Sequence, residues 1–213
     1  MPSPVFVLED DAPPVVKGVG ATLKRAAAHP KLSRRLARMK GVLALKSSQD
    51  PQSVTVRFRR GTVELGRGVA KDAGVVITLD WNNMSGPHAP KPKVKGVARH
   101  PLFALGVASV LEPPLRSWRE EAAAFWEFAK DWPRMPASLR VVCTDDGSEA
   151  QFGQPGEPEY EVHGSADNLK SVFSGNSILG EDYLNGKVFA VGSFEHGSVL
   201  TGRSIAWTMG DGR

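Results

Sequence analysis

Leu139-Arg-Val-Val-Cys-Thr144, Asp145-Asp146-Gly147, Ser148-Glu-Ala-Gln-Phe152 and Glu159-Tyr-Glu-Val-His163 follow one another in the second half of this chain. Short runs rich in β-branched and aromatic residues, with an Asp-Gly turn between the first two, predict three strands, two of them a hairpin. Beyond them, Asp167 to about Phe173 predicts a helix ended by Gly175, and a loop is expected to hold Tyr183. Asn185-Gly186 is a turn signal, Lys187 to Val191 a further strand, and about Ser198 to Met209 a closing helix. A run of three strands before the first helix fits the α+β class.

Upstream, Ser117 stands three residues before Glu120, a capping box. The apolar residues Trp118, Ala122, Phe125, Trp126 and Ala129 give the following helix a buried face, which Trp132-Pro133 ends. This helix is expected to link two halves. Before it the same order is met once: Val54-Thr-Val-Arg-Phe58, a turn at Arg60-Gly61, Thr62 to Leu65, Gly74 to Leu79, a loop from Pro87 to Lys95, and an apolar helix from Leu102 to Leu111. The chain then divides into a leader (1–14), a first unit (15–115), a linking helix (116–136) and a second unit (137–213). Val54-x-Val-x-x-x-x-Gly61 with Leu65-Gly66 answers Leu139-x-Val-x-x-x-x-x-Gly147 with Phe152-Gly153. Leu79 to Gly86 answers Gly164 to Gly175, and Lys93-Val-Lys-Gly96 answers Lys187 to Gly192. Two copies are too few for a solenoid, so a pair of globular units related by a pseudo-twofold axis is expected.

The second half, with Val162-His-Gly164, Asp167-Asn-Leu169, Phe173-Ser-Gly175 and Gly186-Lys-Val-Phe-Ala-Val-Gly192 before a terminal helix, resembles the sterol carrier protein family of type two, the non-specific lipid-transfer fold. The first half looks like a shortened copy, and the ordered motifs run from about Leu36 to the end. The resemblance implies, for each unit, a mixed, mostly antiparallel sheet covered by helices. Between sheet and helices would lie an apolar pocket that takes a fatty acid, acyl-CoA, phospholipid or sterol without catalysis. The family also contains copies that serve only as interaction or dimerisation modules, and this is the alternative expectation.

A lipid pocket needs a dry apolar wall and few polar groups. The helix residues that could supply it are Leu102, Phe103, Leu105 and Val110 in the first half, and Leu169, Val172, Phe173, Leu179, Leu200, Ile205 and Trp207 in the second. Trp81 and Met84, where the resemblance puts the end of a strand, could line a mouth. For each of these residues plain core packing is the first expectation, because core and pocket wall look the same in sequence.

Charge is unevenly distributed. The net value is +4, yet Ala12 to Gln49 holds nine Lys or Arg and no acid. Val15 to Ala28 and Leu32 to Lys46 read as two helices broken at His29-Pro30, and Leu32, Leu36, Met39 and Leu43 form one stripe on the second. A helix packed on its own sheet with solvated arginines outside is the first expectation; the alternative is that Lys24, Arg25, Arg34, Arg35 and Arg38 meet an anionic membrane surface, a salt-sensitive contact suited to a lipid carrier. The absence of any aromatic residue from Ala12 to Gln49 removes base stacking and argues against nucleic acid.

Enzyme signatures are weak. Ser148, Asp145 or Asp146 and His163 form a triad only on paper, Gly18-Val-Gly20 with Lys24 lacks the Gly-Lys-Ser/Thr ending of a phosphate loop, and the five histidines are scattered singly. No catalytic residue, metal or cofactor is expected. Cys143, alone of its kind and inside a strand-like run, reads as a small buried hydrophobe. The first ten residues lack the basic start of a secretory signal, no apolar run is long enough to span a bilayer, and a cytoplasmic protein is expected. Oligomeric state leaves no signal.

Overall fold

The computed structural model describes residues 3–81 and 90–210. It is α+β and divides into two compact units, Met1–Pro114 and Leu115–Arg213. In the first unit the elements run β1 (Val5–Leu8), α1 (Pro14–Ala28), α2 (Pro30–Arg38), β2 (Lys40–Ser47), β3 (Ser53–Arg59), β4 (Thr62–Arg67), β5 (Val75–Leu79), β6 (Lys93–Lys95) and α3 (Pro101–Leu111). The six strands form one sheet in the order β1-β4-β3-β2-β5-β6. It is mixed: β1 runs parallel to β4 and β2 parallel to β5, while the remaining neighbours are antiparallel.

Sequence period explains which face is covered. In β3, Val54, Val56 and Phe58 alternate with Thr55, Arg57 and Arg59. The apolar set joins Leu43, Leu45, Val63, Leu65 and Val75 in the core, against Val16, Val19 and Leu23 of α1. Pro14 and Pro30 open their helices at the first position, where a missing N–H costs nothing. Gly41 fixes where α3 lies on the sheet. Its φ is +149°, and a Cβ there would come within 2.9 Å of the Phe103 ring, which packs edge-on against Phe58 at 5.8 Å.

The second unit runs α4 (Trp118–Ala129), β7 (Ser138–Cys143), β8 (Glu149–Gly153), β9 (Tyr160–Gly164), α5 (Ala166–Ser174), α6 (Leu179–Leu184), β10 (Val188–Gly192) and α7 (Phe194–Met209). Its sheet has the order β10-β9-β7-β8, with β7 parallel to β9 and the other pairs antiparallel. The capping box of α4 is formed in full: Ser117 Oγ accepts from the Glu120 amide, and the Glu120 carboxylate accepts from the Ser117 amide. Gly175, at φ +76°, closes α5 in the left-handed conformation.

Several sequence expectations change. The helix predicted from Leu32 to Lys46 stops at Arg38, because Lys40–Ser47 is taken into the centre of the sheet between β3 and β5. The leader contains strand β1, and Lys93–Lys95 of the expected loop pairs with β5 as β6. Tyr183 lies on helix α6, and the expected linking helix, α4, is part of the second unit. The strands also correspond differently. In both units a central strand has an antiparallel partner on one side and a parallel one on the other, and the parallel strand has its own antiparallel neighbour. That pattern equates β2 with β7, β3 with β8, β5 with β9 and β6 with β10. By pairing pattern β7–β8 is thus like β2–β3, whereas the Val54–Gly66 pair matched by sequence spacing is β3–β4.

Candidate functional site

Helix α2 presents Lys31, Arg34, Arg35 and Arg38 outward while Leu36 is buried beneath. Helix α3, with no charged residue in its eleven, buries Val107 and Val110 and half-buries Phe103, but leaves Leu102 at 85% and Leu105 at 68% exposure. An apolar helix with leucines on its outer side has more hydrophobic surface than its sheet can cover. The two helices meet through Arg35, whose Nη1 donates to Ser109 Oγ at 2.5 Å, and through Met39, which lies against Gly106. Between them is an open groove of about 680 Å³ lined by Lys31, Arg34, Arg35, Arg38, Met39, Leu102, Leu105 and Gly106. Among the described residues, none of its four cations forms an ion pair with a carboxylate. Arg34 uses Nε on the Pro30 carbonyl at 3.2 Å.

Two groups of residues that the sequence kept apart are thereby joined. Leu102 and Leu105, expected in the wall of a pocket between sheet and helices, point instead to the outside, beside the arginines expected to meet anions. Lys24 is exposed on α1 but does not line the groove. Arg25 is half-buried, donating to Thr22 Oγ1 at 3.1 Å, and does not line it either. From sequence Met39 was read only as part of an apolar helix stripe, and neither it nor Gly106 as a site residue. The available signal was the i, i+3 spacing of Leu102 and Leu105 beyond the face that holds Phe103, Val107 and Val110. Trp81 is half-buried against the core of the first unit, and Met84 lies outside the described residues.

In the second unit the predicted wall residues form a packed core. Leu169, Val172, Phe173, Leu179 and Leu200 are all buried. Phe173 meets Phe125 with ring centroids 5.5 Å apart, and Trp207 packs on Phe128 at 4.9 Å while its Nε1 donates to the Phe173 carbonyl at 2.8 Å. Val110 is likewise core of the first unit, and Ile205 is exposed.

The residues considered for chemistry have other partners. Asp146 Oδ1 accepts from the Ser148 amide, Asp145 Oδ2 from the Ala166 amide, and His163 Nε2 sits 2.7 Å from Glu161 Oε2, so no triad is assembled. The Glu161 carboxyl is held below the usual carboxylate range, first by its hydrogen bond from Arg140 and secondarily by His163. Gly18 and Gly20 lie within α1, where the backbone amides are used by the helix, and Cys143 is buried. Among the described residues no group of three His, Cys, Asp or Glu could hold a metal, and no helix is long and apolar enough to cross a membrane. Two further cavities, of about 540 and 450 Å³, lie in the first unit, the larger along Val7 to Glu9 and Glu64 to Ala70, the smaller along Lys40 to Val42 and Arg57 to Arg60, with apolar and charged residues mixed in both.

No family model matches the sequence, and no curated protein does. Among solved structures, a chain described as UbiJ-SCP2 Ubiquinone synthesis protein is similar at 18% identity over 47% of this chain and 91% of that one, with a TM-score of 0.31.

Proposed function

We propose that this protein is a non-catalytic binder of a lipid-class ligand with an anionic head, and that the α2–α3 groove of the first unit is the place where the ligand lies. The carrying observation is the coincidence, in one groove, of leucines left at 85% and 68% exposure with four cations that have no carboxylate partner among the described residues. An acyl chain laid on Leu102, Leu105, Met39 and Gly106 would gain roughly 0.8 kcal/mol for each methylene buried, and a carboxylate or phosphate head would gain charge-assisted hydrogen bonds from the arginines. This chemistry favours a fatty acid, acyl-CoA or phospholipid over a sterol, whose hydroxyl makes no use of four cations. The common strand pairing of the two units supports reading them as diverged copies of one sterol-carrier-like unit.

Native mass spectrometry of the purified protein, with extraction and analysis of what denaturation releases, tests the reading directly. A stoichiometric acyl lipid, or saturable uptake of a fluorescent fatty acid that Arg34→Gln weakens, is the expected result. An apo mass with no uptake would remove it.

A second reading belongs to the second unit alone. Its would-be pocket is filled by Leu169, Val172, Phe173 and Leu200, which supports a closed accessory or interaction module there. Under that reading lipid uptake depends on the first unit and is untouched by truncations in the second.

A further inference from the structure

We infer that the α2–α3 face is also a docking surface for an anionic lipid bilayer, with Leu102 and Leu105 entering the interface between headgroups that Lys31, Arg34, Arg35 and Arg38 engage. The inference rests on the groove assigned above and names the partner from which its ligand would come.

Charge complementarity selects this occupant. From α1 through β2 the described chain contains no acid, and α3 contributes neither acid nor base, so no carboxylate on these elements opposes the cations. A basic surface alone would suit any polyanion. The two leucines decide against that, because they stand out on the same side of the first unit as the arginines, and one groove is lined by both. An interfacial element needs this pairing of a cationic rim with apolar groups at the acyl boundary, whereas a nucleic acid would leave the leucines in water and finds no aromatic ring in the groove to stack on. The arrangement is stiff. Arg35 holds Ser109, whose hydroxyl donates to the Gly106 carbonyl at 2.7 Å, and the Phe103 ring fills the space over Gly41, so the leucines are presented by a helix fixed to its sheet.

Co-sedimentation with vesicles tests the inference on the full chain. Wild type is expected to bind vesicles of equal parts phosphatidylcholine and phosphatidylglycerol, to ignore pure phosphatidylcholine, and to be released as salt shortens the Debye length. Arg34→Gln with Arg38→Gln should weaken binding about 25-fold, from about fivefold per cation at an anionic surface. Leu102→Ser with Leu105→Ser should weaken it about tenfold or more if each leucine is buried even in part. Both pairs are solvent-exposed, so thermal melts should stay unchanged, whereas Lys24→Gln, outside the groove, should bind almost as wild type does. Equal binding of the leucine variant and wild type would reduce the contact to diffuse adsorption and overturn the inference. So would tighter retention of a single-stranded oligonucleotide than of vesicles. A vesicle-free fatty-acid titration separates the two proposals: uptake without vesicle binding refutes docking alone, and vesicle binding without uptake refutes the ligand-binding reading alone.

Discussion

Truncating Phe173 to alanine should destabilise the second unit while leaving lipid binding intact. The ring is 1% exposed and packs against Phe125 at 5.5 Å, and the hydrogen bond from Trp207 goes to the backbone carbonyl of Phe173, so it survives the substitution. The loss is therefore one of packing: about 3 to 5 kcal/mol for a buried phenylalanine, the aromatic pair accounting for roughly 1 kcal/mol of it. For a unit of this size that lowers the melting midpoint by about 12 °C or more. Tryptophan fluorescence follows it directly, because Trp118, Trp126, Trp132 and Trp207 all belong to the second unit and Trp81 alone to the first. Fatty-acid affinity, measured well below the lowered midpoint, should match wild type, since the groove is built from α2 and α3. Phe173→Ala with nearly unchanged stability and weakened lipid affinity would refute this reasoning. It would mean that the ring lines an open pocket.

Gly41→Ala should cost about 1 to 3 kcal/mol in the first unit, because a Cβ must both accept a left-handed φ and push on the Phe103 ring 2.9 Å away. Urea titration reads the stability, and displacement of α3 should weaken fatty-acid uptake in the same variant; a neutral result would show that α3 is held by other contacts. Glu161 should contribute to an acid limb of stability. Its carboxyl titrates below the ordinary value of about 4.3 because Arg140 and His163 hydrogen-bond the charged form, so its contribution is present above that pH and is lost as pH falls through the lowered value. The stability difference between wild type and Glu161→Gln, followed by denaturation from neutral pH downward, should narrow in that window; a difference independent of pH would exclude the charge as its source.

Local chemistry was legible wherever a few neighbouring residues decide the outcome. The Ser117–Glu120 cap, the glycine stop at Gly175, the break at His29-Pro30 and the alternation of Val54, Val56 and Phe58 each act within one turn or one strand. Lys40–Ser47 was misread because Leu36, Met39 and Leu43 keep a helical spacing across the junction. The strand prevails there because two neighbours, β3 and β5, satisfy its backbone on both sides. The same cause hid β1 and β6, short segments whose pairing partners lie far along the chain.

By itself, the sequence determined the α+β class, most helix and strand positions, and the one-signed charge from Ala12 to Gln49. Tertiary structure decided which apolar residues are core and which are surface. Leu102, Leu105, Phe173 and Leu169 look alike as letters on helices, but core packing covers the last two and leaves the first two in water. The groove itself joins residues about seventy positions apart, Arg35 to Ser109 among them. No local period encodes that approach, because it follows from how α2 and α3 each bury their other face on one sheet.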